Sequence, residues 1–130
     1  MILSIAVHGA PYSSQSASSA VKFAEAAVAA GHKIHRVFFY HDGVRAGDVL
    51  AVTPQDEESV LERWRALHLG HGCELALCIA AALKRGMLNT DESERYDKLA
   101  AIVDPDFTVV GLGQLIEAIM HSDRFVTFAA

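Results

Sequence analysis

Apolar stretches of strand length alternate along this chain with segments whose apolar residues fall at helical spacing, and that alternation restricts the fold more than any other feature. Ile2–Val7, Ile34–Phe39, Leu75–Ile79, Phe107–Val110 and Arg124–Phe128 read as strands, most of them nearly continuously apolar. Between the first two, Ala17, Ala20, Val21, Ala24 and Val28 share one helical face, and Gly31 stands where a helix C-cap belongs. Tyr40–Val52 reads as a loop. Thr53-Pro54-Gln55-Asp56 marks a helix start, with Thr as N-cap and Pro in the first turn, and Val60, Leu61, Trp64 and Leu67 supply its inner face. Ala80–Arg85 is a short helix, Asn89–Ala100 is charged and partly helical, and Gly111-Leu112-Gly113 opens a helix through Met120. Strands that are apolar on both faces and separated by helices make a parallel sheet covered on both sides. The expected fold is α/β: a single small doubly wound domain over residues 1–130, with a mostly parallel sheet of about five strands and helices on both faces.

The length supports one core. For 130 residues the usual scaling gives a folded surface of roughly 6,700 Å² against about 20,000 Å² for the extended chain, enough burial without disulfide or metal staples. Eleven basic and sixteen acidic residues leave a charge of −5, and no basic cluster exceeds Lys84-Arg85. A chain gripping nucleic-acid phosphates needs a basic face, so direct nucleic-acid binding is not expected. The apolar N-terminus lacks a basic n-region, and the longest wholly apolar run, Leu75 to Leu83, falls far short of a bilayer span. A cytoplasmic protein with no membrane contact is expected. Apolar residues make up 52% of the chain and its mean hydropathy is +0.23, which points to a partner covering part of the surface.

Two cysteines carry the chemical interest. On an extended segment Cys73 and Cys78 would lie roughly 16 Å apart, too far for a disulfide, and two free thiols suit a reducing compartment. Cys78 falls where a strand's carboxyl end meets a helix N-terminus, the place where reactive groups gather in open parallel sheets and where helix amides favour a thiolate. The plain alternative is a thiol packed in the core, and that reading suits Cys73. His68 and His71 lie one turn apart but lack a third ligand, so structural or surface roles fit them better than a metal site. The hydroxyl-rich loop Gly9–Ser19 serves as a capping turn or an anion cradle. Gly111-Leu112-Gly113 lacks the third glycine of a dinucleotide loop. Asp91, Glu92, Glu94 and Arg95 read as a solvated face.

Taken in order, several segments resemble the DsrE/TusD family of sulfur-relay proteins. They are Gly9-Ala10-Pro11-Tyr12 with Gln15–Ala20, Val37-Phe38-Phe39-Tyr40 with Asp42-Gly43-Val44, Leu77–Ala82 with Arg85-Gly86, and Gly111–Leu115 with Asp123-Arg124. The resemblance implies a sulfurtransferase subunit whose key cysteine, here Cys78, carries sulfur as a persulfide. It implies two related smaller subunits in a cytoplasmic hetero-hexamer, a sulfur-donor carrier protein and a sulfur-acceptor protein, with no metal and no organic cofactor. Tyr12, Gln15 and Tyr40, on loops expected at the same sheet edge, are candidates to line the site. Similarity to TusD implies relay toward 2-thiouridine at the tRNA wobble position, and similarity to DsrE implies dissimilatory sulfur oxidation. Two rival readings are a non-catalytic assembly subunit with a structural Cys78, and a small nucleotide- or flavin-binding domain.

Overall fold

Ile5, Val37, Phe39, Leu75 and Leu77 are wholly buried because their strands lie in the middle of one sheet. A computed structural model describes all 130 residues. Its strands are β1 (Ile2–Val7), β2 (Lys33–Phe39), β3 (Glu74–Cys78), β4 (Phe107–Val110) and β5 (Arg124–Phe128), in the spatial order β4-β3-β2-β1-β5. Every neighbouring pair is parallel, so all five carboxyl ends lie along one rim. The helices are α1 (Gln15–Ala29), α2 (Val60–His71), α3 (Ile79–Lys84), α4 (Thr90–Arg95) and α5 (Gly113–Met120).

The connections from β1 to β2, β3 and β4 step across the sheet in one direction, and right-handed crossovers put their helices on one face. Trp64 of α2 meets Phe39 edge-on there, with ring centroids 5.3 Å apart. The return from β4 to β5 runs the other way, which leaves α5 to cover the second face alone. Arg36 reaches that face from β2 and donates to the Gln114 carbonyl at 2.8 Å. Only Ala118 of α5 is buried, while Ile116, Ile119 and Met120 are exposed. The fold is therefore α/β with unequal layers.

A register shift between Leu3 and Ser4 sets one extra residue into β2, with Leu3 opposite Ile34 and Ser4 opposite Arg36. The resulting bulge aims His35 and Arg36 at the same carboxylate, that of Glu117 on α5. Arg36 is 6% exposed and also binds Glu74 through Nη2 at 2.6 Å and Nε at 3.0 Å.

Four local expectations change. The second helix begins at Val60 rather than at Thr53, because Pro54–Glu58 are exposed and have nothing to bury. Ser59 is the cap, accepting from the Glu62 N–H at 3.3 Å. A 3-10 turn, His41–Gly47, occupies part of the loop after β2. Ile79 opens α3 instead of closing β3, so Cys78 becomes the residue capping that helix. Glu92 is buried rather than solvated, with one carboxylate oxygen lacking a partner, because it lies on the inner side of α4.

Candidate functional site

Strand register brings the site together. Val7 lies opposite Phe39, Phe39 opposite Leu77, and Leu77 opposite Val109. His8, Tyr40, Cys78 and Val110 are therefore the next residues on four adjacent strands, and Cys78 is paired with Val110. The ladder continues through this level: the Tyr40 N–H donates to the Val7 carbonyl at 2.9 Å and the His8 N–H to the Phe128 carbonyl at 3.0 Å. Tyr40 and Cys78 both keep extended backbone, so side-chain alternation places them on the face that Phe38 and Ala76 share. The Phe38 and Tyr40 rings, two residues apart, lie 6.2 Å apart on that face. With strands about 4.8 Å apart, Tyr40 stands next to Cys78, and His8 stands one strand beyond.

Three rings gather at the same rim. His8 and Tyr40 have centroids 5.7 Å apart, Tyr40 and His41 4.2 Å in an edge-on arrangement, and His8 and His41 5.2 Å. His41 takes a φ of 50°, a left-handed turn rarely adopted outside glycine, which swings the chain back toward Tyr40. Burial, and secondarily the charge of His41, hold the His8 imidazole below its ordinary pKa. Gly43 fastens the corner: its N–H donates to the His8 carbonyl at 3.1 Å and to the Tyr40 carbonyl at 2.9 Å. A side chain there would start 2.1 Å from the Val7 carbonyl oxygen, so only glycine fits. Asp42 accepts from Arg85 Nε at 2.7 Å, which ties the 3-10 turn to the end of α3. That hydrogen bond and the Arg85 charge hold the Asp42 carboxyl below its usual range.

Cys78 is 2% exposed and unpaired with any other cysteine. Its backbone ends β3 and begins α3, whose first-turn N–H groups have no partners inside the helix. Cys73 is also a free, buried thiol, but it differs in its place on the sheet. It has no solvent exposure and precedes β3 at the opposite rim, and burial pushes its thiol up to about 11. His68 Nδ1 lies 2.7 Å from the Cys73 carbonyl, spending one ring nitrogen on a backbone contact. No group of three or more His, Cys, Asp or Glu side chains gathers in metal-binding geometry, and no helix is long and apolar enough to cross a membrane.

Of the residues expected to line the site, only Tyr40 shares the level of Cys78 on the neighbouring strand. The Tyr12 hydroxyl accepts from the Val60 N–H at 3.0 Å, and Tyr12 and Gln15 line a polar cleft between the starts of α1 and α2 with Lys22 and Arg63. In the same loop Ser14 caps α1 by accepting from the Ser16 N–H, so its hydroxyl is used in a capping turn. His8 and His41 were not visible as site residues in the sequence. Their one signal is that each follows the end of a strand.

The model of the DsrE/DsrF-like family matches residues 1–128. The chain is 44% identical over 128 residues to a sulfurtransferase TusD homolog of Pseudomonas aeruginosa, covering 98% of this chain and 97% of that one. It is 41% identical over 128 residues to a sulfurtransferase TusD of Salmonella newport, covering 98% and 100%. A protein of Allochromatium vinosum that carries the name DsrE is also 41% identical, over 98% of each chain. Among solved structures, the ychN protein of E. coli matches with a TM-score of 0.78 at 22% identity, covering 98% of this chain and 99% of that one. That likeness speaks for the fold.

Proposed function

The chain belongs to the DsrE/DsrF-like family and is a sulfurtransferase; within that activity, we propose that Cys78 receives sulfane sulfur as a persulfide and passes it to the cysteine of an acceptor protein. The observation that carries this reading is the contrast between the two thiols. Cys78 ends β3 and begins a helix on the rim where all the strands end, whereas Cys73 precedes β3 at the opposite rim, where burial raises its thiol pKa.

The chemistry is thiol exchange. The Cys78 thiolate attacks the outer sulfur of a donor persulfide, R–S–SH. A bond forms between Cys78 Sγ and that sulfur, the donor's S–S bond breaks, and the donor leaves as a thiolate that takes up the proton released by Cys78. The products are Cys78–S–SH and R–SH, with no net oxidation. An acceptor thiolate then repeats the attack on the outer sulfur and returns the Cys78 thiolate. Cys78 is 2% exposed, so each partner must bring its own cysteine close to the rim to reach it.

The relay leads toward 2-thiouridine at the tRNA wobble position, a reading supported by the relatives named TusD. The equal 41% identity to the relative named DsrE supports a second reading, the same relay in dissimilatory sulfur oxidation. In either case the acidic chain hands sulfur to protein and not to nucleic acid. It works in the cytoplasm with two related smaller subunits in a hetero-hexamer, and the exposed apolar residues of α5 are consistent with such partners.

The test is intact-mass analysis of wild type, Cys78→Ser and Cys73→Ser after incubation with a cysteine desulfurase, cysteine and a persulfide carrier. The expected result is a reductant-reversible gain of about 32 Da, one sulfur atom, that is lost only in Cys78→Ser. Equal loading of all three proteins would remove Cys78 from the mechanism.

A further inference from the structure

We propose that the apolar groove between the end of α3 and the loop after α4 docks an apolar, carboxylate-bearing segment of the protein that exchanges sulfur with Cys78. That the docked protein is a sulfur partner rests on the relay reading above; the chemistry of the segment does not.

The groove encloses about 680 Å³, and its walls include Leu83, Leu88, Tyr96, Leu99 and Ile102. Its volume is that of a ligand site, roughly 300–1,000 Å³, but its apolar surface runs on beyond the groove. Leu99 is fully exposed and Tyr96 half exposed. Residues 49–52 are held to the Ile102 wall, since the Val49 N–H donates to the Ile102 carbonyl at 2.9 Å and Asp48 bridges to Val103. They add Leu50 and Val52, both exposed. Large apolar side chains left bare around one groove form the kind of patch that another protein covers.

Charge selects the occupant. Lys98 is the one charged residue in the lining, and Lys84 follows Leu83 at the end of α3. Neither ammonium enters an ion pair, whereas Arg85 and Arg95 are taken by Asp42 and Glu92. Glu94 and Asp97, the acidic residues nearest Lys98 in the chain, stand outside the lining. The complement is a run of apolar side chains interspersed with carboxylates. The chain as a whole, at a net charge of −5, repels such a segment, so the two free ammonium groups fix where it lands. The position also suits the reaction. Leu83 stands at the far end of α3 from Cys78, a rise of about 8 Å, so a protein seated in the groove has its neighbouring residues within reach of the rim.

Two measurements on the full chain test the assignment. The first is an amide chemical-shift titration with a short capped peptide of alternating leucine and glutamate, and with its lysine-for-glutamate counterpart. Shifts should centre on Leu83, Leu88, Leu99 and Ile102, the glutamate peptide should bind about tenfold tighter, and Lys98→Glu should abolish that preference. Lys98 is exposed, so its reversal leaves the core intact. The second compares sulfur loading of Cys78 from the persulfide carrier and from glutathione persulfide. Lys98→Glu should raise the half-saturating carrier concentration about tenfold and leave the rate with glutathione persulfide unchanged. Shifts on Ile116, Ile119 and Met120 of α5 instead, equal binding of the two peptides, or a half-saturating carrier concentration that Lys98→Glu does not change would each overturn the assignment. So would an equal loss with both donors, which would mean that the substitution disturbs Cys78 itself. Failure of the wild type to load from either donor would defeat the relay reading, and the peptide titration would still decide what the groove accepts.

Discussion

The two cysteines stand at opposite rims of the sheet, one before β3 and one at its end. Cys73 is wholly buried, and burial pushes its thiol up to about 11 from 9.0. A group that is charged only when deprotonated and has a raised folded pKa contributes stability that is fully present below the unfolded value. That contribution is lost as pH rises from about 9 through about 11. Urea midpoints of wild type and Cys73→Ala at pH 8 and pH 10.5 should show this. The advantage of wild type should shrink at the higher pH by an amount on the order of 1–2 kcal/mol, and an unchanged gap would mean that Cys73 ionises freely. As a candidate, Cys78 stands out in the sequence because a buried strand runs without a break into an alanine-rich helix at Leu77–Ala82. Its neighbour on the sheet does not. Tyr40 lies 38 positions away in the chain, and only the register of β2 on β3 brings the two together.

Among the elements, α5 depends on a polar anchor more than its sequence suggests. Its apolar residues mostly face outward, and it is pinned to the sheet by Glu117, which meets Arg36, His35 and His121. Arg36 is the buried member, whereas Glu74 and Glu117 are each about one-third exposed. Burial opposes ionisation of Glu117, but hydrogen bonds from His35 and Arg36 outweigh it and hold the carboxyl below its usual range. The asymmetry makes a prediction. Removing Arg36 as Met lets both carboxylates hydrate, while Glu74→Gln with Glu117→Gln leaves a buried guanidinium without a counter-charge, the costlier defect. Urea denaturation should therefore find the double variant less stable than Arg36→Met, and the reverse order would mean that Arg36 is solvated in place. The sequence shows α5 as an apolar helix but hides this anchor, since the bulge at His35 depends on pairing with β1. The start of α2 misled for a different reason. Thr53-Pro54 has the chemistry of a helix start, yet a helix needs a face to bury, and none exists before Val60.

At the scale of the whole molecule, the unequal layers divide the protein into a thickly packed face and a thinly covered one. Helices α1 and α2 bury one face of the sheet. The other carries Cys78 and Tyr40 at its rim and the exposed Ile116, Ile119 and Met120 nearby on α5. The strand order has a further consequence, for synthesis. β1 is made first but lies between β2 and β5, so one of its edges stays open until residues 124–128 have left the ribosome. Throughout that interval Ile2–Val7 is a bare template for pairing with other chains. A chain stopped at His121 should accumulate in the insoluble fraction, and its recovery as a soluble, cooperatively melting species would show that something else shields β1. A nascent chain of this topology is safe only once its final strand has closed the edge of its first, and a slow stretch of translation shortly before that strand would prolong the exposure.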